Sequence, residues 1–188
     1  MSATDMEITR KYRTEGNRGR YRRLRVVSFL LAVLGALLLC VLLFGVWLRP
    51  VRITGDSMSP TLAENEIVLV DRLAIYWKMP ERGDIVRFST EDGAFIKRVI
   101  GLPGETVEVV DGHVFINSCP LDEHLYAVGF IGDAKPVTVP EGSFYLLGDN
   151  REKMYDSRLS SVGCIPVTEL EGAVRLRISP LSRILLFF

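Results

Sequence analysis

Ser57 and Lys97 are the residues whose types and settings could do chemistry. Ser57 lies in the stretch Thr54-Gly55-Asp56-Ser57-Met58-Ser59-Pro60-Thr61-Leu62. A serine hydroxyl is a weak nucleophile at its free pKa and needs a nearby base. Neither histidine is well placed to serve, because His113 sits by a hairpin turn and His124 in a polar loop. The more interesting base is Lys97, within Phe95-Ile96-Lys97-Arg98-Val99-Ile100. Alternate residues of a strand share a face, so Phe95, Lys97 and Val99 lie on one side and Ile96, Arg98 and Ile100 on the other. An ammonium flanked by apolar groups is poorly solvated, which lowers its pKa and favours the neutral amine a general base needs. The chemistry on offer is attack by a hydroxyl whose proton passes to an amine. Each segment also has a plainer reading. Gly, Asp, Ser and Pro are turn formers, and a lysine on an edge strand can snorkel to water.

A third cluster runs Gly148-Asp149-Asn150-Arg151-Glu152-Lys153-Met154-Tyr155-Asp156-Ser157-Arg158. So many opposite charges in one loop suggest ion pairs, with Asp149 or Asp156 holding Arg98 of the neighbouring strand. These charges are expected to be structural. No Cys/His cluster has metal-ligand spacing, so no metal and no cofactor is expected. Cys40, Cys119 and Cys164 leave a pairing of the last two open, with free thiols at least as compatible.

The elements that position these residues are legible in outline. From Val26 to Leu48 no charged residue occurs. A helix of that length covers roughly 34 Å, enough for a hydrocarbon core of about 30 Å. The apolar run exceeds the roughly 7–15 residues of a cleaved signal core, and no small-x-small site follows before Arg49, so an uncleaved anchor is expected. The preceding stretch carries Arg10, Lys11, Arg13, Arg18, Arg20, Arg22, Arg23 and Arg25 against Glu15. Such a cationic flank stays cytoplasmic, which sends residue 50 onward outside. Overall charge is balanced, with 23 basic and 23 acidic residues, and the basic run abuts the anchor, so nucleic acid is not an expected partner.

After Pro50, short segments rich in β-branched residues alternate with Gly, Pro and Asp turns, which predicts strands. They are 66–72, 83–88, 94–102, 106–117, 136–142 and 143–150, and Asp111-Gly112 marks a hairpin. The terminal LSRILLFF (181–188) is too short to span a bilayer as a helix and is read as a last strand. The organisation expected is a basic cytoplasmic segment over 1–25, a transmembrane signal anchor over 26–48 and an extracytoplasmic catalytic β domain over 49–188. The fold class is mainly β, an antiparallel sheet on one N-terminal helix.

In order along the chain, Ser57-Met58-x-Pro60-Thr61-Leu62, Arg82-Gly83-Asp84-Ile85-Val86, Phe95 through Gly104, and Gly148-Asp149-Asn150-Arg151 with Asp156-Ser157-Arg158 resemble the ordered signature of type I signal peptidases, the bacterial leader peptidase family. Each motif alone is weak; four in order after an N-terminal span are highly specific. The resemblance implies a serine/lysine dyad, with Ser57 attacking the scissile carbonyl and neutral Lys97 as general base, through an acyl-enzyme. It implies removal of signal peptides from secretory preproteins after small-x-small residues. By family correspondence Ile53, Met58, Leu62, Phe95 and Ile96 line the substrate pockets, although core packing explains Leu62 and Ile96 equally well. Gly55, Arg98, Asp149, Asp156 and Arg158 would support the site. The setting implied is a single-pass protein of the plasma membrane, with the lipid bilayer as a partner and the translocation machinery close by.

Two positions depart from the family pattern. Gly55 stands where one branch of the family has a serine that donates to the oxyanion, so the chain resembles the glycine-bearing branch, and Gly55 could instead serve close backbone approach. Met154 stands where members commonly have a serine that orients the lysine, and a thioether cannot donate a hydroxyl proton. Lys97 would then be oriented by packing, by a backbone carbonyl or by another hydroxyl. The alternative function is a catalytically weak or silent protein of the same type that binds secretory precursors; a cytoplasmic self-cleaving Ser/Lys repressor is a more distant one.

Overall fold

The computed structural model describes residues 3–180, 182 and 184–187, and the side chains among them other than those of 3–22 and 43–44. The chain divides into two units, Met1–Val46 and Trp47–Phe188. The first is one helix, α1 (Ala3–Trp47), whose last residue belongs to the second unit. Within it Arg23–Trp47 is long and apolar enough to cross a membrane, and its leucines and valines with described side chains are exposed. The helix ends one residue before the expected limit, because Leu48 opens a strand.

The second unit is antiparallel β. Its strands are β1 (Leu48–Arg52), β2 (Ile67–Asp71), β3 (Ile85–Thr90), β4 (Gly93–Gly101), β5 (Thr106–Val110), β6 (His113–Ile116), β7 (Cys119–Pro120), β8 (Ala134–Thr138), β9 (Ser143–Leu147), β10 (Ile165–Pro166), β11 (Leu170–Ser179) and β12 (Leu185–Leu186). A short helix, α2 (Ala74–Trp77), follows β2. The main sheet runs β1-β2-β11-β3-β4-β9-β10, with β12 on β11; the smaller one runs β7-β6-β5-β8.

The hairpin marked by Asp111-Gly112 forms between β5 and β6, both turn residues taking positive φ (50° and 77°). The segment 136–142 contributes less than expected: β8 starts at Ala134 and stops at Thr138. The terminal segment supplies only the two-residue β12 among its described residues. The strand between β2 and β3, β11, comes from a segment whose Glu171, Arg175 and Arg177 obscure the apolar alternation. Arg177 is buried and donates to the Thr61 carbonyl at 2.7 Å and to Glu66 at 3.2 Å.

Three apolar clusters result. Ile53, Met58, Leu62, Val68, Val70, Ile85 and Val174 pack under the Ser57 segment, with Ile96 against them. Val86, Phe88, Val99, Phe144, Leu146, Ile165 and Leu170 form a second, to which Phe95 adds. The third lies beneath the smaller sheet around Ile100, Val107, Val114 and Tyr145.

Candidate active site

Ser57 is half-buried in a run of tight turns that follows β1. The turns are closed by the Ser59 N–H on the Asp56 carbonyl (3.0 Å) and the Leu62 N–H on the Met58 carbonyl (2.8 Å). Ile53, Met58 and Leu62 are buried and tie the loop to the core on both sides of the serine. Gly55 has φ of +80°, and a Cβ placed there would meet nothing within 4 Å. Backbone freedom, not close approach of another group, is what requires glycine at this point.

Lys97 lies on β4, opposite Val86 of β3, and is 1% exposed. Its cluster neighbours on the same strand face, Phe95 and Val99, both pack in the second core, as alternation demands. Burial pushes its pKa down from 10.5 to about 8; Asp156, Asp149 and Asp56 oppose the shift and Arg158 adds to it. Among the described residues neither Lys97 Nζ nor Ser57 Oγ has a hydrogen-bond partner. Packing, then, orients the amine, and Gly148 is the residue that makes room for it. A Cβ on Gly148 would lie 2.6 Å from the Ser57 carbonyl oxygen and 3.3 Å from Lys97 Nζ. Those two distances place the amine within about 6 Å of the serine's own carbonyl. Met154 is 58% exposed at the surface of the same loop.

The loop after β9 latches onto the Ser57 segment. The Asn150 N–H donates to the Ser57 carbonyl at 3.0 Å, its side-chain amide reaches the Asp56 carbonyl at 3.4 Å, and Lys153 pairs with Asp56 at 3.2 Å. Inside the loop the charges sort themselves into pairs. Asp149, fully buried, takes Arg98 Nε at 2.8 Å and Nη2 at 2.6 Å, and also accepts the Thr61 hydroxyl. Arg98 further donates to the Gly83 carbonyl at 2.7 Å and lies 4.2 Å from the Tyr126 ring centroid. Asp156 takes Arg158 instead, at 2.8 Å from both Nε and Nη2. Of the two carboxylates weighed for Arg98, Asp149 is the one that holds it. Arg151 reaches back to the Gly148 carbonyl and pairs with Glu123, a partner no local pattern pointed to. Gly148, Asn150 and Thr61 acquire their roles only once two distant segments meet.

A groove of about 220 Å³ opens beside Ser57, lined by Val51, Arg52, Ile53, Thr54, Met58, Arg87, Ala94, Phe95 and Ile96. Four of the five expected pocket residues lie on it; Leu62 is fully buried in the core below. Among the described residues strand β1 has a partner only in β2, and β4 pairs with β9 only from Arg98 onward, so Gly93–Ile96 keeps one edge open. Cys119 and Cys164 are free thiols.

A family model described as signal peptidase, peptidase S26, matches residues 26–179. The chain belongs to the signal peptidase S26 family. Among relatives, a probable signal peptidase I-2 of Synechocystis is 38% identical over 70% of this chain and 63% of its own length. A signal peptidase I P of Bacillus subtilis subsp. natto is 31% identical over 87% of this chain and 94% of its own. This chain thus spans less than two thirds of the Synechocystis signal peptidase but nearly all of the Bacillus one. A solved signal peptidase I from Enterococcus faecalis V583 is 35% identical, covering 51% of this chain and 97% of that one, with a TM-score of 0.46.

Proposed function

We propose that this chain is a membrane-anchored serine endopeptidase that removes signal peptides from secreted preproteins, cutting after small-x-small residues with Ser57 as nucleophile and Lys97 as base. The observation that carries this reading is the buried Lys97 amine, held near the Ser57 segment with its pKa brought to about 8. At pH 7 about a tenth of such an amine is neutral, against roughly one part in three thousand for an unperturbed lysine. Ser57 Oγ attacks the scissile carbonyl as Lys97 Nζ takes its proton. The ammonium then protonates the leaving amine, and the neutral amine activates the water that hydrolyses the acyl-enzyme. Apo catalytic geometry is often loose, so the missing Ser57–Lys97 hydrogen bond is a contact for substrate to close. The Ser57 N–H has no acceptor among the described residues and supports the developing oxyanion.

The groove suits an extended peptide. Two open strand edges face it, and a peptide adding between them sends its first and third residues before the cut to the same side. Arg98, Asp149, Asp156, Arg158 and Gly55 hold the loops in place rather than react. Residues 26–48 cross the plasma membrane with 1–25 cytoplasmic and 49–188 outside, which sets the groove where translocated precursors emerge from the secretion machinery.

Purified chain in detergent should cut a preprotein bearing Ala-x-Ala, and Ser57→Ala or Lys97→Ala should slow it about a thousandfold or more. Cleavage at the normal rate by either variant refutes the dyad. The exposed Met154 favours a second reading, a protein that binds precursors without cutting them; binding without cleavage by the unaltered chain would establish that one.

A further inference from the structure

The groove beside Ser57 mixes apolar and polar lining, with Arg52 and Thr54 from the segment before the serine and, on the opposite strand pair, Arg87 beside Ile96. On β3, Ile85 and Arg87 share a face, and Ile85 is buried in the cluster under Ser57. Arg87 lies directly opposite Ile96 on β4 and lines the groove with it. Directly opposed strand residues point to the same face, so the guanidinium occupies space that Ile85 and Ile96 would extend as hydrocarbon.

This arginine is held there by a built feature. Between the pairs Leu170↔Phe88 and Gly172↔Arg87 the register shifts, leaving Glu171 as the extra residue of a β-bulge. Bulges re-aim side chains, and here the Glu171 carboxylate takes both an Arg87 N–H and the Ser89 hydroxyl. Gly172 has φ of +154°, and a Cβ on it would overlap the Asp71 carbonyl oxygen and lie 2.8 Å from Val70. The bulge therefore depends on glycine. Among the described residues Glu171 is the only hydrogen-bond partner of the guanidinium, through Nη1, which leaves Nε and Nη2 for a ligand.

We propose that Arg87 determines specificity at the third substrate residue before the cut, selecting a small side chain with a hydrogen-bond acceptor (serine or threonine) over a branched aliphatic one. This deepens the proposed function and rests on it. The first residue before the cut lies at Ser57 and Met58; the next side chain on that face is about 6.7 Å further along the peptide, beside Ile96 and Arg87. Glu171 balances the charge, so the substrate meets N–H donors rather than a bare cation. A valine there would cover those donors without giving them an acceptor, and a buried unpaired donor is costly.

The test uses the full chain in detergent and a set of otherwise identical preproteins carrying Ser, Thr, Ala or Val at the third position, with Ala at the first. The unaltered protein should show a kcat/KM for Ser about tenfold above that for Val. In Arg87→Val that ratio should fall to about one or invert. Because Arg87→Val leaves Glu171 uncompensated, the double variant Arg87→Val/Glu171→Gln is measured in parallel, with thermal melting to verify folding, and should show the same collapse. A ratio unchanged in both variants, or a preference for Val in the unaltered protein, would each overturn the inference while leaving the dyad intact. No cleavage of any substrate by the unaltered protein would overturn the proposed function and this inference with it.

Discussion

At the scale of single residues, Lys97 is a buried amine whose burial, in the proposed mechanism, serves reactivity at the expense of stability. Its pKa falls from 10.5 unfolded to about 8 folded, so the unfolded chain binds the extra proton between those values. Stability from this group rises with pH from about 8 to 10.5, and the full penalty applies below pH 8. Lys97→Met should therefore abolish cleavage yet raise stability by about 1–3 kcal/mol at pH 7, a gain that vanishes above pH 10.5. Chemical denaturation at two pH values checks this. Gly148→Ala would put a methyl 2.6 Å from the Ser57 carbonyl oxygen and 3.3 Å from Nζ. It should lower kcat at least about tenfold with a smaller change in KM, measured by steady-state cleavage. The strand neighbours Phe95 and Val99 left Lys97 open between burial and snorkelling to water, and the fold decides for burial. The requirement for glycine at 148 was not legible, because it arises where the loop after β9 crosses the Ser57 turn, far away in sequence.

At the scale of elements, the site is two loops tied together by buried charge. Arg98 on β4, Asp149 after β9 and Thr61 beyond the serine turn form one network. Asp149→Ala leaves a buried guanidinium without its carboxylate and should destabilise the chain by about 3–5 kcal/mol in denaturant melts. Thr61→Val removes one hydroxyl from the same network and should cost about 1 kcal/mol. Most strands around this network announce themselves by alternation, and the Asp111-Gly112 hairpin by its turn residues. Strand β11 does not, because Glu171, Arg175 and Arg177 break its pattern. Two of those charges find partners on other segments, Arg177 with Glu66 and Glu171 with Arg87, and such pairings have no local signature.

At the scale of the whole molecule, one apolar helix precedes a β domain that carries every residue of the candidate site. The apolar part of the helix was legible from its uncharged length alone; its continuation back through the basic segment to Ala3 was not. The sorting of charges into Arg98–Asp149, Arg158–Asp156 and Arg151–Glu123 emerged only with the fold. The proposed topology makes the exposed Cys119 thiol extracytoplasmic. In a variant retaining Cys119 as its one cysteine, a membrane-impermeant maleimide added to intact cells should label it. A thiol introduced by Thr4→Cys, with the native cysteines removed, should react only after lysis. The reverse pattern would invert the topology.

The central claim, that neutral Lys97 is the base for Ser57, is tested most directly by the pH dependence of kcat/KM for an Ala-x-Ala preprotein between pH 5 and 10. The acid limb should fall tenfold per unit below an apparent pKa near 8. Activity that stays flat down to pH 6 would contradict lysine as the base.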